Sequence, residues 1–112
     1  MSSLYPAEAF EVTEGETVLG GLKGATRHHF CPSCMSWLFT RPEGLNAFVN
    51  VRSPLFADPA CHRPYIDMYH REALPGADSG AIERFDTAPK EDEFSTLMSA
   101  YAAWANDGKA GE

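Results

Sequence analysis

The sequence of 112 residues predicts a mainly β fold closed by one C-terminal amphipathic helix. Two patterns predict it. Between Phe10 and Met68, short apolar runs with two-residue alternation are split by glycine, proline and other turn residues, as in an antiparallel sheet. Farther on, Phe94, Leu97, Met98, Tyr101 and Ala105 fall at i, i+3, i+4, i+7 and i+11, the spacing of one helix face.

"FEVT" alternates Phe10 and Val12 with Glu11 and Thr13, and Gly15 in "TEGE" predicts a hairpin turn. "TVLGGLKG" reads as a second strand, weakened by Gly20 and Gly21. "TRHHFC" runs into a turn that holds Cys31 and Cys34, and "SWLFT" leads out of it until Arg41-Pro42-Glu43-Gly44 ends the strand. "LNAFVNVRS" places Leu45, Ala47, Val49 and Val51 on one face and Asn46, Phe48, Asn50 and Arg52 on the other. "PYIDMYH" alternates similarly. Pro54, Pro59 and Pro64 mark residues 53 to 64 as a loop, and "REALPGADSG" reads as another. The expected spans are a β region over about 9–70, a loop over about 71–88 and a helix over about 89–106. Pro89 suits the first turn of that helix, Glu91, Asp92 and Glu93 complement its dipole, and Gly108 can end it. Its apolar stripe is read as a face that docks on the sheet or on a second subunit.

The length fits a single domain. A net charge of -7 leaves no basic stripe to neutralise phosphates, so neither nucleic acid nor an anionic membrane is an expected partner; small molecules or proteins are. "MSSLYPAEAF" has no cationic start or apolar signal region, and no later run has the length of a membrane span, which predicts a cytoplasmic protein. Three cysteines cannot all pair within one chain, so Cys31, Cys34 and Cys61 point away from a disulfide scaffold.

The densest chemistry lies in "HHFCPSCMSWLF", residues 28–39. A redox C-x-x-C needs its first sulfur at a helix N-terminus, where the dipole lowers the thiol pKa. The residues after Cys34 are aromatic and β-favouring and soon meet Pro42, so the pair belongs to a strand-turn-strand. On such a turn, two thiolates can converge on one zinc ion at about 2.3 Å while backbone N–H groups point at the sulfurs. This is a zinc-knuckle pattern, and it supplies two ligands where structural zinc takes four. Candidates for the others are His29, two residues before Cys31, and Cys61 or His62, which as neighbours on an extended chain point opposite ways. The plainer reading makes His28 and His29 a strand pair with one ring outward and one packed, and Cys61 a small, partly buried thiol. Asp67, His70 and Arg71 form a polar cluster that offers an acid, a base and an anion clamp, or simply a solvated strand end.

"RHHFCPSCMSWLFTRPEG" followed by "FVNVR" resembles the C-terminal half of the glutathione-dependent formaldehyde-activating enzyme family, the GFA or CENP-V domain family, over about Phe10 to the tyrosines of "PYIDMYH". The resemblance implies the mainly β Mss4-like fold and a zinc site in which Cys31 and Cys34 match the family's F-C-x-x-C-G pair. It also implies carbon-sulfur lyase chemistry on adducts of glutathione with formaldehyde, or on a related thiol and aldehyde. Two departures qualify it. The family's C-x-C, and the C-x-C-x-x-C that holds a catalytic zinc, would lie before Phe10, where this chain has nine residues without cysteine. It therefore resembles a member truncated at the N-terminus, just past the catalytic cysteines. Met35 stands where the family has glycine, and a left-handed backbone there would cost about 1 to 2 kcal/mol; a relaxed turn is the expectation. Two functions are then open: a lyase-type domain that is inactive for want of its catalytic cysteines, or a non-catalytic zinc-binding or interaction module. Lost strands would expose edges and apolar surface, which predicts a homodimer.

Overall fold

A computed structural model describes residues 1–21, 24–59 and 63–107. Its main feature is an antiparallel sheet of five strands: β1 (Ser2–Pro6), β2 (Val18–Gly20), β3 (Arg27–Phe30), β4 (Trp37–Arg41) and β5 (Phe48–Arg52). The spatial order is β1-β5-β4-β3-β2. Backbone proximity groups the chain into two units, Met1–Pro59 and Ala60–Glu112, and the sheet lies in the first.

Alternation along β3, β4 and β5 decides which side chains meet. Phe39 opposes both His29 and Val51, and Val49 lies two residues farther along the same face. On that face Val49 and Phe39 are 0% and 5% exposed, and burial of an apolar side chain of this kind contributes about 1.5–3 kcal/mol. The Phe10 ring lies over Phe39, their centroids 4.8 Å apart, and the Arg41 guanidinium sits 5.6 Å from the Phe39 ring centre. On the opposite face, buried Thr40 accepts a hydrogen bond from Trp37 Nε1 at 2.9 Å, and its hydroxyl pairs with His28 Nδ1 at 2.8 Å.

Where this differs from the expected elements, long-range pairing is the reason. "FEVT" forms no strand: Phe10 serves as a cover on the sheet instead of taking a backbone partner. The sheet begins earlier than residue 9, because β1 pairs with β5 in the register Ser2↔Arg52 to Pro6↔Phe48. Pro6 is tolerated because β1 is an edge strand. β5 starts at Phe48, so Val49 and Val51 share a face as the alternation requires, while Leu45 and Ala47 precede the strand.

In the second unit, the strand read from "PYIDMYH" shrinks to β6 (Ile66–Asp67). It pairs in parallel with β7 (Glu83–Arg84), inside the stretch expected to be loop. Helix α1 runs from Phe94 to Asn106, ending where expected, and its start is a 3-10 turn over Glu91–Glu93. Gly108 lies outside the described residues. Tyr65 packs on α1, with centroid distances of 5.7 Å to Tyr101 and 5.1 Å to Trp104. Among the described residues no helix is long and apolar enough to cross a membrane.

Candidate functional site

The two cysteines sit on the turn that joins β3 to β4. Cys31 N–H donates to the Ser36 carbonyl at 2.9 Å, and Met35 N–H donates to the Cys31 carbonyl at 2.9 Å, which closes the turn without a disulfide between the two cysteines. Met35 has φ 60°, the left-handed conformation that glycine adopts without strain. The expected relaxation of the turn has not occurred. The paired backbone bonds hold the left-handed geometry against the steric preference of Met35.

Electrostatics favours the Cys34 thiolate. The Ser36 hydroxyl, then the Ser36 backbone N–H and the Cys31 thiol, hold the exposed Cys34 thiol below its ordinary pKa. The neutral thiol donates to Ser36 Oγ at 3.1 Å; once ionised, it takes the hydroxyl as a donor instead. Two sulfurs on one turn, one of them stabilised as an anion by N–H and O–H donors, have the donor chemistry of half a structural zinc site. No helix comes directly after the pair, so the dipole effect on which a redox dithiol depends is missing.

His29 does not join them. A register shift lies between His29 and Phe30, which pair with Phe39 and Trp37 so that Leu38 is passed over. The His29 ring stacks on Phe39 at 4.4 Å and 12°, and Nδ1 meets the Thr17 hydroxyl at 2.9 Å. Both histidines are packed, on opposite faces, because each finds an aromatic ring and a threonine hydroxyl; the outward ring expected for one of them is absent. His29 Nε2 is buried without a hydrogen-bond partner, and burial, then Arg41 and Arg27, push the imidazole pKa down. Cys61 and His62 lie outside the described residues. Among the described residues no group of three or more His, Cys, Asp or Glu side chains is placed to hold a metal ion.

The second unit brings Asp67 and His70 together, with His70 Nδ1 3.4 Å from Asp67 Oδ2. Ser79 donates to the same oxygen at 3.0 Å. Tyr69, at φ 56°, makes the bend between them; its N–H donates to Thr87 O, and that of His70 donates to Phe85 O. An open cleft of about 380 Å³ is lined by Asp67, His70, Asp78 and Ser79 among others. Arg71 turns aside and pairs with Glu72 at 3.2 Å on the surface, so the anion clamp is not assembled. Ser79 bonds Asp67 rather than His70, and the group is no nucleophile-base relay. Ser79 and Asp78 carry no sequence signal because the parallel pairing of β6 with β7 brings them in; Ser36 is a further residue that sequence reasoning misses, and its place two positions past Cys34 is the signal that could have found it.

No protein-family model, curated protein or solved structure matches this chain.

Proposed function

We propose that the chain is a zinc-knuckle domain of the GFA type with an Mss4-like sheet, in which Cys31 and Cys34 hold zinc in a structural role. Its relation to carbon-sulfur lyases acting on adducts of glutathione and formaldehyde is one of descent, and the chain itself works as a non-catalytic zinc-binding or interaction module. The observation that carries this reading is the left-handed Met35, kept in a turn whose N–H and O–H groups converge on the Cys34 sulfur. Backbone strain of this kind persists where the surrounding structure has a use for the geometry, and ligation by a C-x-x-C turn is such a use.

The enzyme reading would need a zinc with an open position to polarise a carbonyl or hold a thiolate. Only Cys61 remains beside the knuckle pair, too few cysteines for a second site of the family's kind. Among the described residues, the lining of the Asp67–His70 cleft includes neither lysine nor arginine to receive the carboxylates of a glutathione-like substrate. The cytoplasm, where thiols stay reduced, suits a cysteine pair of which one is exposed and the other half-buried.

Elemental analysis of purified wild type and Cys31→Ser tests the proposal. Wild type is expected to hold less than one zinc per chain, and the variant none. Zinc content unchanged by Cys31→Ser, or no zinc uptake by wild type, would overturn it.

A further inference from the structure

We propose that the knuckle is one half of an intermolecular site: two copies of the chain meet knuckle to knuckle about a two-fold axis and share one zinc ion through Cys31 and Cys34 of each. This rests on the zinc-knuckle reading and names the partner that completes it. Three observations carry it.

The first is ligand number. Each turn presents two sulfurs, zinc with thiolate ligands takes four, and no described residue adds a third. A two-fold axis through the metal doubles any ligand set that lies beside it, so two plus two closes a tetrahedron without a further residue type. The second is the surface around the sulfurs. Met35 is 56% exposed and Trp37 38%, and Val18 and Leu19 on the adjoining edge strand β2 are 39% and 53% exposed. Val18 pairs with Phe30, next to Cys31, so these side chains flank one end of the sheet. An isologous contact needs a patch that complements itself, and an apolar rim does so. The third is charge. The chain carries a net -7, yet the stretch from Gly24 to Arg41 has neither Asp nor Glu. The two turns therefore meet without acids that would repel them, the nearest being Glu14 and Glu16 ahead of the β2 edge, and the divalent ion offsets half of the charge of four thiolates.

The test uses the whole chain in a reducing buffer with phosphine, so that no intermolecular disulfide imitates the metal. Zinc per chain is measured by elemental analysis, and mass by native mass spectrometry and light scattering across the micromolar range, before and after chelation. One zinc per two chains is expected, in a dimer whose dissociation constant rises at least tenfold on chelation and recovers on adding zinc back. Cys34→Ser should lose both metal and dimer, while Cys61→Ser keeps both. Cobalt titration of wild type guards against misfolding of a cysteine variant: a four-thiolate site gives about twice the sulfur-to-metal charge-transfer absorbance per cobalt of a two-thiolate site. One zinc held by a monomer would overturn the shared site and the expected content of less than one zinc per chain, leaving only Cys31 and Cys34 as ligands of the knuckle reading. A dimer indifferent to chelation would also overturn it, by moving the interface elsewhere. Absence of zinc uptake would overturn both readings.

Discussion

Met35 is where one residue type and one backbone geometry disagree. A non-glycine residue in the left-handed region costs about 1 to 2 kcal/mol, and glycine gives back about 0.5 to 1 kcal/mol of that through its freer unfolded chain. The Met35 side chain is mostly exposed, so little packing is lost on removing it. Met35→Gly should therefore raise the stability of the metal-free chain by up to about 1 kcal/mol in urea denaturation, and Met35→Val should lower it by at least as much. A destabilised glycine variant would mean that the turn is not strained in solution. His29 supports a second prediction at this scale. Its imidazole pKa is pushed down by burial and then by Arg41 and Arg27, so the folded chain favours the neutral ring while the unfolded chain takes up a proton near the ordinary value of about 6.5. The unfolded state then binds more protons on the acid side, and stability is lost as pH falls through that value toward the folded one. His29→Gln should lower the melting temperature throughout, by losing the ring stacked on Phe39, yet flatten its fall between about pH 7.5 and 5.5. An unchanged slope would assign the titration to another group.

Among the elements, β2 and α1 rest on specific contacts. A Cβ added at Gly20 would lie 2.7 Å from Phe30 Cδ2, so the glycine read from the sequence as weakening the strand is what lets the Phe30 ring lie across it. Gly20→Ala should cost about 1 to 3 kcal/mol, read as a lower urea midpoint with unchanged slope. α1 is held within its unit by Tyr65 against Tyr101 and Trp104, and has no side-chain cap at its N-terminus. Trp104→Ala should therefore reduce helical circular dichroism and cost about 1 to 3 kcal/mol; a variant with the wild-type spectrum would show that the aromatic cluster does not hold the helix. β2 through β5 were legible because alternation and turn residues bracket each strand, and the end of α1 because its apolar spacing stops there. β1 was not, since "SSLYP" alternates weakly and ends in proline, and its pairing with β5 joins opposite ends of the first unit. β6 and β7 have two residues each, too few for any period to register. "FEVT" has the alternation of a strand without a neighbour to bond, and periodicity reports which faces are apolar rather than which backbone groups find partners. At the candidate site, the C-x-x-C turn was local and therefore readable, whereas the association of Ser79 with Asp67 is a product of tertiary pairing.

At the scale of the whole molecule, the question is whether the chain can gather a thiol and an aldehyde and stabilise charge on the oxygen between them. Forming an S-hydroxymethyl thiol makes one carbon-sulfur bond and moves one proton from sulfur to oxygen, so no covalent enzyme intermediate is required. Acceleration would need either a metal with an open coordination position or a positioned acid and base near an anion-binding group. If the knuckle holds zinc through four thiolates, the ion is closed to substrate. The cleft beside Asp67 and His70 has the acid and the base, but neither lysine nor arginine is among its described lining residues, so no permanent cation there draws in an anionic thiol. The net charge of -7 further opposes the approach of a polyanionic peptide thiol. The chain, loaded with zinc or not, should therefore leave the rate of glutathione-formaldehyde adduct formation at its spontaneous value. Exchange NMR of the two reactants with and without protein measures that rate directly. Acceleration abolished by Cys31→Ser would make the knuckle a reactive centre with an open zinc position, whereas acceleration abolished by His70→Ala would place the chemistry in the cleft of the second unit.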